Sequence, residues 1–312
     1  MRTTIHATTS SAVASQLADL RRGAGATTLG RVLTLVIVTH DPATMDTALA
    51  AANGAAREHP CRVVGVVLGD KTTDSRMDAE IRLGDEAGMS EVVILHTHGG
   101  PTEMLDTLVI PLLLPDTPVV VWWTGSTPPV PGDEPLGAIA QRRITDVASC
   151  ADPVATLLRM GPGYRPGDTD VSWSRITLWR GLLAAALDEP PRAPVTRVRV
   201  SGGEERPSVY LLAAWLAQAL DVPTEVVLTP EPTITRVTLE RSEGEITLDR
   251  PHGATVAVLR RPGRADQHIN LPVRTLADCL TEELRRLDAD ETYGDVLVSG
   301  LTQITQLDGR TS

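Results

Sequence analysis

The chain has 312 residues, of which 42% are hydrophobic and 22% are charged, a composition typical of globular proteins and not of disordered ones. Its 29 basic and 40 acidic residues give a formal net charge of -11, which argues against a general attraction to nucleic acid or to anionic lipid. This length is enough for two domains of ordinary size, and we expect their partners to be proteins or small molecules.

The cysteines and the apolar runs indicate a cellular compartment. Cys61, Cys150 and Cys279 are an odd number, widely spaced and without a CxxC motif, which favours a reducing compartment over a disulfide framework or a zinc site. The N-terminal segment has no apolar stretch of the signal-peptide kind, and no later run is long enough to span a bilayer. The sequence therefore predicts a cytoplasmic protein that binds neither membrane nor nucleic acid.

The first half of the chain alternates predicted helices with apolar strands. Residues 11–22 are predicted to form a helix, because Val13, Leu17 and Leu20 recur at helical spacing. Asp41 followed by Pro42 predicts the start of a second helix. Runs rich in β-branched residues predict buried strands over residues 31–41, 61–70, 91–100 and 117–125, a more exposed strand over 77–84 and another strand over 142–149. This order indicates an N-terminal domain with a mainly parallel sheet covered by helices.

The segment GPGYRPGDTD, residues 161–170, predicts a boundary because Gly, Pro and Asp dominate it. We expect an N-terminal α/β domain over residues 1–162 and a C-terminal α+β domain over residues 163–312. Beyond the boundary, the patterns predict helices over 170–188, 207–220 and 275–288, strands over 195–202, 224–228 and 293–300, and hairpins turning at 242–244 and 262–263. The fold class is therefore α/β, with a mixed C-terminal domain that contains antiparallel hairpins.

Nucleotide-binding and nucleophile motifs are absent from the sequence. There is no GxxxxGKS or GxxxxGKT loop, and the glycines of GAGATTLG (residues 23–30) precede the first buried strand, whereas a dinucleotide-binding loop would follow it. The segment TGSTPP lacks the second glycine of a nucleophile elbow. These motifs give no catalytic residue and no cofactor.

Polar residues follow several of the predicted strands. His40 and Asp41 follow the first buried strand, His98 ends the third and Thr124 follows the fourth. Because ligands bind beyond the carboxyl ends of strands in open parallel sheets, these four residues form a possible ligand-binding site. His96 and His98 would share a face, with His40, Asp41 or Glu103 as a third metal ligand. Histidines at a strand end are more often solvated or hydrogen-bonded, so we predict no metal.

The segment DVSWSRITLWRG, residues 170–181, concentrates large aromatic and guanidinium groups in a chain with 5 Trp, 3 Tyr and no Phe. On a continuous helix Trp173 and Arg180 would lie along one edge of the apolar stripe, and Arg175 would lie within reach of the Trp179 ring. Trp and Arg are enriched at interaction hot spots, so these four residues form a candidate partner-binding surface. The alternative is a core helix whose arginines extend outward from its rim.

The sequence also resembles a known family along most of its length. The similar segments are RVLTLVIV, LLLPDTPVVVWWTG followed by GAIAQRRITDVAS, DTDVSWSRITLWRGLLAAALD, LLAAWLAQAL and ELRRLDADETYGDVL. In these segments the chain resembles the OpcA family, the glucose-6-phosphate dehydrogenase assembly proteins of actinobacteria and cyanobacteria.

The resemblance implies a two-domain protein that is not itself an enzyme. It implies an assembly factor and allosteric activator that binds glucose-6-phosphate dehydrogenase in the oxidative pentose phosphate pathway and so supports NADPH formation. Trp173, Arg175, Trp179 and Arg180 lie in the segment WSRITLWR, which matches the family's signature. The alternative is a small-molecule-binding or hydrolytic α/β protein that binds a sugar phosphate or nucleotide at the strand ends.

Overall fold

The computed structural model describes residues 1–23, 30–70, 72–84, 91–99, 104–190 and 192–307. Lys71 and Glu103 lie outside these residues, as does most of the glycine-rich segment that precedes Gly30. The described strands are β1 (Arg2–Ile5), β2 (Leu33–Thr39), β3 (Cys61–Leu68), β4 (Arg76–Arg82), β5 (Glu91–His98), β6 (Val119–Trp123), β7 (Arg142–Thr145), β8 (Asp168–Asp170), β9 (Val195–Gly203), β10 (Thr224–Thr229), β11 (Ile234–Arg241), β12 (Ile246–Asp249), β13 (Val256–Arg260), β14 (Gln267–Asn270) and β15 (Ile304–Leu307).

The α-helices of the described residues occur throughout the chain. They are α1 (Ser10–Gly23), α2 (Pro42–Ala55), α3 (Leu105–Val109), α4 (Pro135–Ala138), α5 (Pro153–Met160), α6 (Val171–Arg175), α7 (Thr177–Asp188), α8 (Pro207–Leu220), α9 (Leu276–Arg285) and α10 (Glu291–Val298). None of them is both long and apolar enough to cross a bilayer.

The first compact unit contains residues 1–151, 165–171 and 275–289 and is built on an eight-stranded sheet. The strand order is β1-β4-β5-β3-β2-β6-β7-β8. The six neighbouring strands β5, β3, β2, β6, β7 and β8 pair in parallel. Strands β1 and β4 add an antiparallel edge next to β5. This arrangement confirms the predicted N-terminal, mainly parallel sheet.

Both faces of this sheet are covered, because neighbouring residues of a strand point to opposite faces. Trp122 belongs to the core shared with α2 and α9, and Trp123 belongs to the core shared with α1, α3 and α4. Asp41 begins α2 by accepting a hydrogen bond from the Thr44 backbone N–H at 2.8 Å, as the sequence predicts. Continuous apolar strands such as β2 follow from this double coverage, because neither face requires polar alternation.

The second compact unit contains residues 152–164, 172–274 and 290–312 and is built on a seven-stranded mixed sheet. Its strand order is β14-β13-β12-β11-β9-β10-β15. Strands β11 to β14 are antiparallel neighbours, and the two predicted hairpins join β11 to β12 and β13 to β14; β10 pairs in parallel with both β9 and β15. This mixture confirms the predicted C-terminal fold class.

Each unit is assembled from three separate segments, whereas the sequence predicts one boundary after residue 162. The predicted boundary segment contains β8, which pairs with β7 in the first sheet. Helix α9 also belongs to the first unit although it follows most of the second along the chain. The division into 1–162 and 163–312 stays a prediction, made on composition, and the compact units differ from it in these returning segments.

Two expectations about local structure are wrong, and two strands are missed. Residues 293–300 are predicted as a strand, but most of them lie in α10, because the Asp290 side chain caps this helix by accepting from the Tyr293 N–H at 2.9 Å. The single predicted helix over residues 170–188 is divided into α6 and α7, which meet at Ile176. The short strands β1 and β15 are not predicted at all, since their pairing partners are distant in the sequence.

Candidate functional site

Trp173 lies in the interior of the second unit, with 2% of its surface exposed. Its indole Nε1 donates a hydrogen bond to Oδ2 of Asp290 at 2.8 Å, while Oδ1 of the same carboxylate caps α10. The Arg180 guanidinium stacks over the Trp173 ring at 3.7 Å from the ring centroid. One carboxylate and one guanidinium therefore fix the position of this ring.

Two tyrosines extend this group of rings. The centroids of Trp173 and Tyr293 are 5.7 Å apart, and those of Tyr293 and Tyr164 are 6.2 Å apart in an edge-to-face arrangement. A Cβ atom on Gly294 would lie 2.6 Å from the Tyr164 ring, so only glycine allows this close approach. We call Trp173, Arg180, Tyr293 and Tyr164 the aromatic cluster.

Trp179 is also 2% exposed, and its arginine neighbour differs from the predicted one. The sequence predicts that Arg175 reaches the Trp179 ring, but the guanidinium over this ring, at 5.2 Å, belongs to Arg250. Arg175 instead donates from Nη1 to the Arg274 carbonyl oxygen at 3.2 Å. The break at Ile176 explains the difference, because it places Arg175 and Trp179 on separate helices. Burial lowers the pKa of Arg250 below its ordinary value.

The partner-binding role of Trp173, Arg175, Trp179 and Arg180 stays a prediction, and the burial of both indoles limits how it can operate. The rings themselves face the interior, while Arg175 and Arg180 are half-buried. The outward face of α7 carries Leu178, Gly181, Ala184 and Ala185, all of which are exposed. Leu178 is 39% exposed, so most of this face is apolar, and the exposed Asp188 lies at its C-terminal end.

At the carboxyl ends of the first sheet, two of the predicted ligand-binding residues are adjacent and held by the fold. Strands β2 and β6 pair in parallel with Val38 opposite Trp123, so Asp41 and Thr124 follow neighbouring strands. The Asp41 carboxylate accepts from both the Oγ1 and the N–H of Thr44 at 2.8 Å, and these hydrogen bonds lower its pKa. Thr124 is buried and lies 3.5 Å from Asp146 through Oγ1. Both side chains therefore serve local structure.

His40 and His98 complete the predicted set, but the sheet separates them. His40 is exposed after β2, while His98 ends β5, and β3 lies between these two strands. Two strand spacings place β2 and β5 about 10 Å apart. His98 lies 3.8 Å from Asp78, which also faces Arg76 and His6. Among the described residues no group of three His, Cys, Asp or Glu side chains is arranged to hold a metal; Glu103 is outside them.

A cavity of about 330 Å³ lies at the same end of the first sheet, yet it does not unite the predicted residues. Its walls include Ser10, Arg76, Met77 and Thr97. None of His40, Asp41, His98 and Thr124 lines it. The assignment of these four residues to a ligand-binding site stays a prediction, without a shared cavity in its support.

Family models match most of the chain, and both describe domains of a glucose-6-phosphate dehydrogenase subunit. Residues 52–162 match the N-terminal domain of this family, and residues 166–297 match its C-terminal domain. The segment with the aromatic cluster's Trp173 and Arg180 and the outward face of α7 lies inside the second match.

Two curated proteins, each described as a putative OxPP cycle protein OpcA, are similar in sequence. The protein from Synechococcus elongatus is 30% identical over 152 residues, which is 45% of this chain and 34% of that protein. The protein from Nostoc punctiforme is 25% identical over 181 residues, which is 53% of this chain and 39% of that protein. The matched region thus spans between a third and two fifths of these relatives.

Solved structures give more distant similarities. An aldose-aldose oxidoreductase from Caulobacter crescentus, complexed with glycerol, is 14% identical with a TM-score of 0.47, covering 87% of this chain and 95% of its own. An oxidoreductase from Sinorhizobium meliloti is 10% identical, also with a TM-score of 0.47, covering 86% of this chain and 94% of its own. Similarity at this level says nothing about activity.

Proposed function

Because the chain belongs to the glucose-6-phosphate dehydrogenase subunit family, we propose that it binds glucose-6-phosphate dehydrogenase and promotes the enzyme's active oligomer without catalysing a reaction itself. The observation that carries this proposal is the pair of domain matches, which together extend over residues 52–162 and 166–297. The two curated relatives, described as OxPP cycle proteins, support a place in the oxidative pentose phosphate pathway.

The four residues predicted at the strand ends of the first unit have mainly local contacts. Asp41 caps a helix, Thr124 is buried beside Asp146, and His98 is two strands away from His40. General acid–base or nucleophilic catalysis needs such groups within hydrogen-bond reach of each other or of one substrate. The described geometry brings Asp41 and Thr124 to neighbouring strand ends and leaves His98 two strands away from His40.

We place the dehydrogenase contact on the outward face of α7, formed by Leu178, Gly181, Ala184 and Ala185. Gly181 and Ala185 follow Leu178 by three and seven positions, and Ala184 follows Gly181 by three, so the four residues share one side of the helix. Gly181 costs about 1 kcal/mol relative to Ala inside a helix. A Cβ atom at Gly181 would have nothing within 4 Å, so packing inside the chain does not require glycine there. A partner backbone that approaches this face closely gives a physical reason for it.

Activation sets a thermodynamic condition on this contact. A ligand that binds two enzyme states equally well shifts neither, so the chain must bind the active dehydrogenase more tightly. A change from mostly inactive to mostly active enzyme needs about 5.5 kcal/mol of differential binding. An apolar helix face with one large exposed side chain, supported by rigid buried rings, is a suitable contact of this kind.

Sedimentation velocity of the chain mixed with its cognate dehydrogenase tests the proposed contact. Gly181→Arg places a long charged side chain on the outward face, and we expect it to weaken the complex at least about 30-fold, the effect of losing a hot spot. The matched control is Ala50→Arg, which puts the same side chain on an exposed helical position of α2. If both variants bind as the wild type does, the contact lies elsewhere; if no variant or wild type binds, the proposed function is wrong.

A further inference from the structure

A second cavity, of about 280 Å³, lies wholly within the second unit. It is bounded by the end of α7, the turn between β11 and β12, and the turn between β13 and β14. This is the end of the sheet where β9 begins, since Arg241 of β11 pairs with Val195. We call it the arginine pocket because Arg241, Arg261 and Arg264 line it.

Arg261 is the most distinctive residue of this pocket. Its side chain is only 6% exposed, and its Nη1 forms an ion pair with Glu189. Its Nε and Nη2 are buried, and neither donates a hydrogen bond to any residue that the structure describes. A buried charged donor without an acceptor is unfavourable, so these two nitrogens mark a place where an acceptor is expected.

The geometry of these two donors selects the acceptor. Nε and one terminal nitrogen of a guanidinium form a planar fork that matches two oxygens of a phosphate or carboxylate. Arg264 is already committed, because its Nη1 donates to Glu189 at 3.0 Å and its Nη2 to the Pro190 carbonyl at 2.8 Å. Arg261 is the pocket arginine with two buried donors that have no acceptor among the described residues.

The charges around the pocket favour an anion. Three arginines face two acidic residues, Glu189 and Glu243, which leaves a local excess of +1 in a chain of net charge -11. Glu189 is neutralised by Arg261 and Arg264. Ala186, Pro190, Ile246 and Pro262 provide apolar walls next to these charges. An anionic head with a small organic body fits such a lining.

We propose that the arginine pocket binds a phosphate group, with Nε and Nη2 of Arg261 as its donors once this side chain turns toward the pocket, since both atoms are buried in the structure. The same phosphate chemistry is present in free inorganic phosphate and in a small phosphate monoester. The apolar walls favour the monoester, because they cover its organic part. This site is separate from the outward face of α7 and does not rest on the proposed dehydrogenase contact.

Isothermal titration calorimetry of the full chain, at constant ionic strength, tests the proposal with inorganic phosphate and with glycerol 3-phosphate as probes. We expect saturable binding with one site per chain. Tighter binding of glycerol 3-phosphate supports a site for a phosphorylated metabolite, and equal binding of the two supports a site for the free ion. Absence of saturable binding of both probes at millimolar concentration would overturn the proposal.

Variants locate the site. Arg261→Gln should weaken binding about 10- to 100-fold, because it removes charge-assisted hydrogen bonds. Arg260→Gln is the matched control, since Arg260 is next in sequence but pairs with Asp249 and Asp266 outside the pocket. The phosphate affinity of this variant should stay within about twofold of the wild-type value. Equal affinities for the Arg261→Gln and Arg260→Gln variants would contradict the assignment.

Glu243→Gln gives a test that does not depend on the stability of Arg261 variants. Glu243 is exposed and lines the pocket, so its replacement leaves the fold intact and removes one adverse charge. We expect phosphate affinity to rise about two- to fivefold at low ionic strength and the gain to shrink as salt is added. An unchanged or weaker affinity at low salt would show that no anion binds beside this residue.

Discussion

Arg180 and Arg261 both belong to the second unit, but Arg180 is half-buried, Arg261 is almost fully buried, and their surroundings differ. The Arg180 guanidinium stacks on the Trp173 ring at 3.7 Å from the ring centroid, and the indole N–H of Trp173 donates a hydrogen bond to the Asp290 carboxylate. Arg261 has one nitrogen paired with Glu189 and two buried nitrogens that donate to no described residue. The Arg180 guanidinium thus packs against a ring within the unit, whereas Nε and Nη2 of Arg261 have no acceptor among the described residues.

This difference separates a structural group from a candidate binding group where residue type does not. Trp and Arg are enriched at interfaces, and that enrichment alone favours the aromatic cluster as the binding surface. Burial instead favours the arginine pocket over the aromatic cluster, because an indole that is 2% exposed contacts a partner only if the unit opens. Buried donors without an acceptor, on a residue that lines a cavity, are the better indication of a ligand.

The largest expected effect comes from Trp173→Ala. The substitution removes a fully buried ring, its hydrogen bond to Asp290 and the support of Arg180, so we expect the free energy of unfolding to fall by about 3–5 kcal/mol. Urea denaturation followed by circular dichroism measures this change. Trp173→Phe, which keeps an aromatic ring and loses the indole N–H, should cost less.

The opposite result would make the aromatic cluster part of a binding surface. If Trp173→Ala unfolds at the wild-type urea concentration yet loses dehydrogenase binding, the ring acts at the partner surface and the cluster is not structural. If stability and binding fall together in Trp173→Ala and are both kept in Trp173→Phe, the ring acts through the fold.

Gly294→Ala is expected to have an intermediate effect. The added Cβ atom would lie 2.6 Å from the Tyr164 ring, so either the ring or α10 must move. Overpacking of this kind typically costs about 1–3 kcal/mol. The same denaturation experiment measures it, and a variant as stable as the wild type would show that Tyr164 has room to move away.

Gly181→Ala is expected to have the smallest effect, with the opposite sign. The helical position is open, so alanine should stabilise the unit by about 0.5–1 kcal/mol by restricting the unfolded chain. If a partner backbone approaches this face closely, the same methyl group should weaken dehydrogenase binding. Stabilisation with unchanged binding would remove the outward face of α7 from the proposed contact.

The sequence predicts most of the fold because its strongest signals are local. Strand β2 is a continuous β-branched run, and α2 begins with the Asp41–Pro42 signal, so both are predicted close to their observed positions. Residues 293–298 contain Val and Leu in a pattern that predicts a strand, but they form a helix that the Asp290 carboxylate caps. Strands as short as β1 and β15 depend on partners far away in the chain, which local patterns do not contain.

The sites are less predictable, since they depend on which side chains meet. No periodicity indicates that Arg250, and not Arg175, lies over Trp179, because the break at Ile176 changes the helix faces. The arginine pocket unites α7 with two hairpin turns that are more than fifty residues further along the chain. A signal was present in the run LRRPGR, residues 259–264, where two arginines flank a predicted turn, but their meeting with Glu189 is tertiary.

The central claim is that this chain raises the activity of glucose-6-phosphate dehydrogenase without being an enzyme. The most direct measurement holds the cognate dehydrogenase at fixed concentration and follows NADPH formation as the purified chain is added. We predict a saturable rise, no NADPH formed by the chain alone, and a curve shifted to higher concentration for Gly181→Arg but not for Ala50→Arg. A flat response at concentrations where sedimentation detects a complex would contradict the claim.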